Sequence, residues 1–201
     1  MKNYIYIASL VLLLVSCSKD YELTKSVYKQ DLEFTDLPAY SEWGYNTFGV
    51  YYDRTPFVFN DETIPAKALN TNNEFSFLLS GQLGAYSYYS SSYSEMSLKF
   101  VFTDTIYEEY QDLVSLNNTT IDLTNPLYKV ILEKDQSTDT LDIISGELYF
   151  KRVQNLKVDT KPVEIILSGY FGFKALIGGK PVTFSEGRFD VGIGTSNFYY
   201  Y

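Results

Sequence analysis

One parity holds for fifteen residues near the C-terminus. Val163, Ile165, Leu167, Gly169, Phe171, Phe173, Ala175 and Ile177 take every second position, with the mixed set Glu164, Ile166, Ser168, Tyr170, Gly172 and Lys174 between them. Successive side chains of a strand point to opposite faces, so this pattern specifies β-structure with one buried face. Strands usually run to about 5–6 residues, and one this long predicts a bend. Gly178-Gly179 follows and separates this run from Val182-Thr183-Phe184. Two glycines between apolar runs predict a tight hairpin turn.

The same period recurs upstream. Phe75, Phe77 and Leu79 share a face, as do Leu98, Phe100 and Phe102, and then Tyr128, Val130 and Leu132. Residues 46–53 read as a first strand, broken by Arg54-Thr55-Pro56 and resumed at Phe57-Val58-Phe59. Phe189-Asp190-Val191 supplies a strand near the end. Only Ile106, Tyr110 and Leu113 stand at helical spacing, which predicts one short helix over 106–113 capped by Asp104. Ser-Gly occurs inside three apparent strands, and Gly81, Gly146 and Gly169 all fall on the apolar parity. A missing side chain on a buried face marks a bend, a bulge or room for a bulky neighbour. Trp43, the only tryptophan, is one candidate to fill such a gap. Strands outnumber helices and short turns join them, so the expected fold is all-β, an antiparallel two-layer β-sandwich with one short helix; a β-barrel is the alternative.

The N-terminus carries an address. Met1-Lys2-Asn3 precedes an apolar run from Tyr4 to Val15. As a helix this run rises about 18 Å, short of the ~30 Å hydrocarbon core, so it reads as a secretory signal and not a lasting span. Leu14-Val15-Ser16-Cys17 resembles a bacterial lipobox. That resemblance implies cleavage before Cys17 and acylation of its thiol, hence a membrane partner through a lipid anchor at Cys17. The expected division is a signal peptide over 1–16, a lipidated tether over 17–37 and a β-sandwich domain over 38–201. Cys17 is the only cysteine, so no intrachain disulfide exists. Ser18-Lys19-Asp20-Tyr21-Glu22 resembles the mature starts of surface-exported lipoproteins in Bacteroidetes, with Tyr21 interrupting the acids. The run SGYFGFKALIGGKPVTFSEGRFDV, 168–191, is similar to a pattern in small uncharacterised Bacteroidetes lipoproteins. The resemblance implies a β-domain anchored in the outer membrane, exposed at the cell surface, and it implies no reaction.

Composition excludes several chemistries. With no histidine, Ser-His-Asp and Cys-His nucleophiles and imidazole metal sites are ruled out. The net charge of −9 disfavours nucleic acid as a partner. Carboxylates abound, among them Asp61, Glu62, Glu108, Glu109, Glu147, Glu186 and Asp190, but no spacing singles out a glycosidase pair and a solvated acidic face is the expectation. Gly192-Ile193-Gly194 lacks the following helix a nucleotide loop needs. Residues 135–142 are acidic and turn-like, without the spacing of an EF-hand. No cofactor, metal or catalytic residue is expected, and the chain reads as non-enzymatic.

Two modification sites and one binding surface remain as candidates. Asp104-Thr105-Ile106 and Asp139-Thr140-Leu141 resemble Asp-Thr-apolar O-glycosylation acceptors, with Thr105 and Thr140 as the modified residues. The stretch GAYSYYSSSYSEM, 84–96, holds Tyr86, Tyr88, Tyr89 and Tyr93. A tyrosine pairs a flat apolar face with a hydroxyl, which suits stacking on a sugar ring. The same tyrosines alternate, so they also suit the plain role of covering the end of an aromatic core, which is the favoured reading of the two. The expected function is therefore a binding or structural accessory role at the envelope, with a glycan or an envelope protein as partner: a carbohydrate-binding module, or an adhesin or assembly component of an outer-membrane complex.

Overall fold

The computed structural model describes residues 24–71, 73–84, 94–158 and 160–201. Among these, twelve strands and one short helix form in chain order: β1 (Thr47–Tyr52), β2 (Thr55–Val58), β3 (Ala66–Thr71), β4 (Glu74–Leu83), β5 (Ser94–Thr103), a 3-10 helix (Tyr110–Leu116), β6 (Thr119–Asp122), β7 (Tyr128–Lys134), β8 (Ser137–Thr140), β9 (Asp142–Val158), β10 (Lys161–Ile177), β11 (Lys180–Ile193) and β12 (Phe198–Tyr200). They pair in the order β6-β9-β10-β11-β1-β2-β4-β5-β7-β8, with β3 beside β4 and β12 beside β3. All pairings are antiparallel but β3–β12. The two ends of the path, β6 and β8, do not pair with each other, so the sheet is not closed into a barrel.

Aromatic contacts show how the sheet doubles over into two facing layers. Phe77 of β4 meets Phe150 of β9 at 5.7 Å and Phe189 of β11 at 5.3 Å between ring centres. Phe100 of β5 meets Phe171 of β10 at 5.4 Å. Phe77, Phe100 and Phe171 are residues whose parity marked a buried face, and all five rings are nearly or fully buried. The two layers share one continuous apolar core, as the all-β sandwich reading requires.

The long run becomes the 17-residue β10, and its bend is built from register slips. Pairing with β9 shifts between Ser168 and Gly169 and again between Lys174 and Ala175; pairing with β11 shifts between Phe171 and Phe173. The Ser-Gly glycines sit at such close approaches. A Cβ on Gly169 would collide with the Tyr149 carbonyl and lie 2.7 Å from the Phe189 ring. On Gly146 it would collide with Phe173, and on Gly81 it would lie 2.6 Å from the Val58 carbonyl. Aromatics fill the first two positions, but Trp43 is not among them: its side chain is 74% exposed. The Gly178-Gly179 hairpin forms as expected, with φ of 56° and 78° at its two turn residues.

Two local expectations are corrected. The first break falls at Asp53-Arg54, both at positive φ, and Pro56 lies inside β2 opposite Tyr51. The helix is a 3-10 turn displaced to Tyr110–Leu116, capped by Glu109 and Asp112 rather than by Asp104. Its apolar positions Tyr110, Leu113 and Leu116 recur every three residues, the 3-10 period, and Leu113 and Leu116 are buried. Ile106, placed in the helix by the sequence reading, is 39% exposed.

Alanine at Gly169 is expected to cost about 3 kcal/mol, because the Tyr149 backbone on one side and the Phe189 ring on the other leave the new methyl no room. Alanine at Gly178, where nothing lies within 4 Å, meets only the strain of its positive φ and costs about 1 kcal/mol. Chemical denaturation of the two variants measures the difference.

Candidate functional site

The chain before β1 is a strap laid across the outer face of β10 and β11. The stretch expected to end a tether at residue 37 is partly built into it. Val27 N–H bonds to Tyr45 C=O at 2.8 Å, Gln30 bridges Pro38, and Leu37 is fully buried. What holds the strap follows from the alternation of Gly187-Arg188-Phe189-Asp190 in β11. Phe189 points into the core; Arg188 and Asp190, on the opposite parity, point at the strap.

Asp190 is 1% exposed and gathers five donors. The backbone N–H groups of Trp43, Gly44 and Tyr45 donate to it at 3.2, 2.8 and 3.0 Å, the Ser41 hydroxyl donates as well, and Ser168 donates at 3.3 Å. Three successive N–H groups converging on one carboxylate form a nest, and Gly44, at φ 73°, supplies the left-handed residue the turn requires. Arg188 makes a second clamp. Its guanidinium reaches Asp31 at 2.7 Å and lies 4.9 Å from the centre of the Phe34 ring. Burial raises the Asp31 pKa, but the N–H groups of Phe34 and Glu33 together with Arg188 outweigh it and hold the carboxyl below its usual range.

The turn so held presents Trp43 to solvent. Around it stand planar polar side chains. Glu42 accepts from the Tyr40 hydroxyl at 3.0 Å, from Lys151 at 3.4 Å and from Arg152 at 3.3 Å. Gln154 donates to the Glu42 carbonyl at 2.7 Å and accepts from Arg152 Nε at 3.0 Å. Partial burial raises the Glu42 pKa, yet the hydrogen bonds of Tyr40 and Lys151 and the two cations bring it below the ordinary glutamate value. Tyr40 stacks on Tyr170 at 4.3 Å, and burial followed by the Glu42 carboxylate raises its phenol pKa far above the ordinary value. Together Tyr40, Ser41, Glu42, Trp43, Arg152 and Gln154 line a cavity of about 300 Å³.

Glu164 lies beneath the same turn, 5% exposed. Burial, and then the Asp190 charge, push its pKa up to about 7. Glu164 and Asp190 are two buried acids. Neither is among the residues that line the cavity beside Trp43, the strap covers both, and the Asp190 oxygens are already engaged.

The residues singled out from sequence lie elsewhere. Cys17 and Tyr86, Tyr88, Tyr89 and Tyr93 fall outside the described residues. Thr105 is half-buried and donates to the Thr103 carbonyl at 3.3 Å; Thr140 is exposed at the end of edge strand β8. Asp61, Glu62, Glu108, Glu109, Glu147 and Glu186 are exposed, as a solvated acidic face requires, whereas Asp190 is buried. A second cavity, about 650 Å³, opens between the β4–β5 and β7–β8 hairpins, with Asp61, Glu95, Glu133 and Asp135 in its lining. Among the described residues no group of three His, Cys, Asp or Glu is placed to hold a metal ion, and no helix is long and apolar enough to cross a membrane. No family model, curated protein or solved structure matches the chain.

Two measurements probe this locus. Asp190→Asn keeps the shape but leaves N–H donors facing an amide, and is expected to cost about 2–4 kcal/mol in unfolding free energy while lowering the fluorescence anisotropy of Trp43. Glu164 sets a pH slope: between the ordinary glutamate range and about 7 the unfolded chain has released this proton while the folded chain keeps it. Stability therefore falls as pH rises through that window, by about 3 kcal/mol from this group, and Glu164→Gln flattens the slope in denaturation curves recorded across it.

Proposed function

We propose that this chain is a lipid-anchored, non-enzymatic binding protein of the outer membrane, exposed at the cell surface, which meets its envelope partner through the Trp43 turn. The address rests on the apolar run ending in Leu14-Val15-Ser16-Cys17 and on the residues that follow it. The observation that carries the binding role is an indole 74% exposed on a turn fastened from behind by a buried carboxylate. Holding a large apolar ring in water is unfavourable, and covering it is worth about 3 kcal/mol. Because the turn is already ordered, little of that gain is lost to immobilising it on binding.

The absence of histidine and the engaged state of the Asp190 carboxylate support a non-catalytic role. The strap also suits an anchored protein. The chain arriving from residue 17 enters a segment clamped by Asp31–Arg188 and by Asp190, so a pull on the anchor is borne by buried ion and hydrogen bonds. Thr140, exposed on an edge strand, offers the more accessible of the two candidate acceptor hydroxyls.

Replacing Cys17 by Ala is expected to leave an unacylated chain that no longer partitions into detergent with the membrane fraction. Intact mass of the native protein checks the lipid and any glycan together. A native mass matching the bare chain, with membrane partition unchanged in Cys17→Ala, refutes the anchor.

A further inference from the structure

We propose, on the reading of Trp43 as the contact surface, that the turn is a saccharide subsite: a sugar ring lays its C–H face on the indole while Arg152, Gln154 and Glu42 bond its hydroxyls. The neighbours of the ring decide the ligand class. At the core of a protein interface Arg and Tyr are enriched, whereas Glu, Asp, Lys and Ser are depleted, so the carboxylate and the serine beside this ring are the neighbours that set it apart. The cavity beside Trp43 is lined by a guanidinium, a carboxylate, an amide, a serine and a tyrosine. An apolar plate edged by convergent planar donors and acceptors matches a polyhydroxylated ring, apolar on its faces and polar around its rim.

The polar groups have capacity left and are held in place. Arg152 spends Nε on Gln154 and Nη1 on Glu42, and among the described residues its Nη2 and the Trp43 indole N–H have no hydrogen-bond partner. Both oxygens of Glu42 accept from the protein, yet a carboxylate oxygen has room for a second donor. The mutual bonds of Arg152, Gln154 and Glu42 fix their planes, and Asp190 fixes the plate, so a sugar meets a formed site. A cavity of about 300 Å³ suits one or two rings rather than a long chain, which fits contact with the end or side of a glycan.

Because Trp43 is the only tryptophan, its emission reports on this site alone. Purified protein is titrated with neutral and uronic-acid-containing hexasaccharides, exciting at the red edge of the tyrosine band. The expected result is a saturable change in Trp43 emission with at least one sugar at or below about 1 mM. Affinity should fall about tenfold or more in Arg152→Ala, read by emission, and in Trp43→Ala, read by calorimetry, with Trp43→Phe recovering part of it. Trp43 is 74% exposed, so its replacement leaves the fold intact, and circular dichroism verifies this. Hydroxyl-radical footprinting of Trp43 on intact cells separates the two readings. No sugar response with Trp43 shielded on cells overturns the saccharide assignment and keeps the binding role. No sugar response with Trp43 freely oxidised overturns both. Binding that survives Trp43→Ala unchanged also overturns the subsite.

Discussion

The carboxylate of Asp190 organises this molecule. A buried charge is tolerated only when its lone pairs are met, and here three backbone N–H groups and two hydroxyls meet them. Four of those donors belong to residues 41–45, far away in sequence. One interaction therefore fastens the N-terminal strap to β11, shapes the Gly44 turn and aims Trp43 outward. Arg188, two residues earlier on the same face of β11, repeats the device with Asp31. Glu164 adds a second acid beside Asp190 without donors of its own among the described residues, so the neutral form is favoured there and the locus becomes sensitive to pH near neutrality.

The bent sheet makes this outer face available. A flat ribbon of β9, β10 and β11 would not wrap a core of phenylalanines. The register slips at Gly169, Phe171–Phe173 and Lys174–Ala175 curve it over β4 and β5. The glycines on the apolar parity let backbone and aromatic ring approach more closely than any side chain allows. With one face given to Phe150, Phe171, Phe173 and Phe189, the opposite face of the same strands is free to carry Glu164, Ser168, Arg188 and Asp190 under the strap.

An exposed hydrophobic side chain alone says little, since such residues are common on protein surfaces. Leu32 is 99% exposed and Ile144 55%, and neither lines the 300 Å³ or the 650 Å³ cavity. Trp43 differs in standing at the edge of a cavity among oriented charged groups, with its own N–H and those of Gly44 and Tyr45 all engaged by Asp190. Rigidity behind and polarity around are what give that ring a reading as a contact surface.

The sequence by itself determined the class of fold. Period-2 alternation survives any tertiary context, because a strand's side chains must alternate whatever packs on them, and the parities of Phe75, Phe100 and Phe171 were legible for that reason. Gly178-Gly179 was legible too, since a type I′ hairpin turn needs positive φ at both central positions. The helix was half legible: Tyr110 and Leu113 fit both a 3.6-residue and a 3.0-residue period, and only the burial of Leu116 chose between them. Only the tertiary structure decided that Trp43 faces water, that Asp190 is a fastening and not a surface charge, and that Glu164 is buried at all. Those outcomes depend on residues 41–45 meeting residues 164–190, and no local pattern encodes which strand face a distant loop will cover. A carboxylate in sequence reads as solvated until the donors that bury it are known.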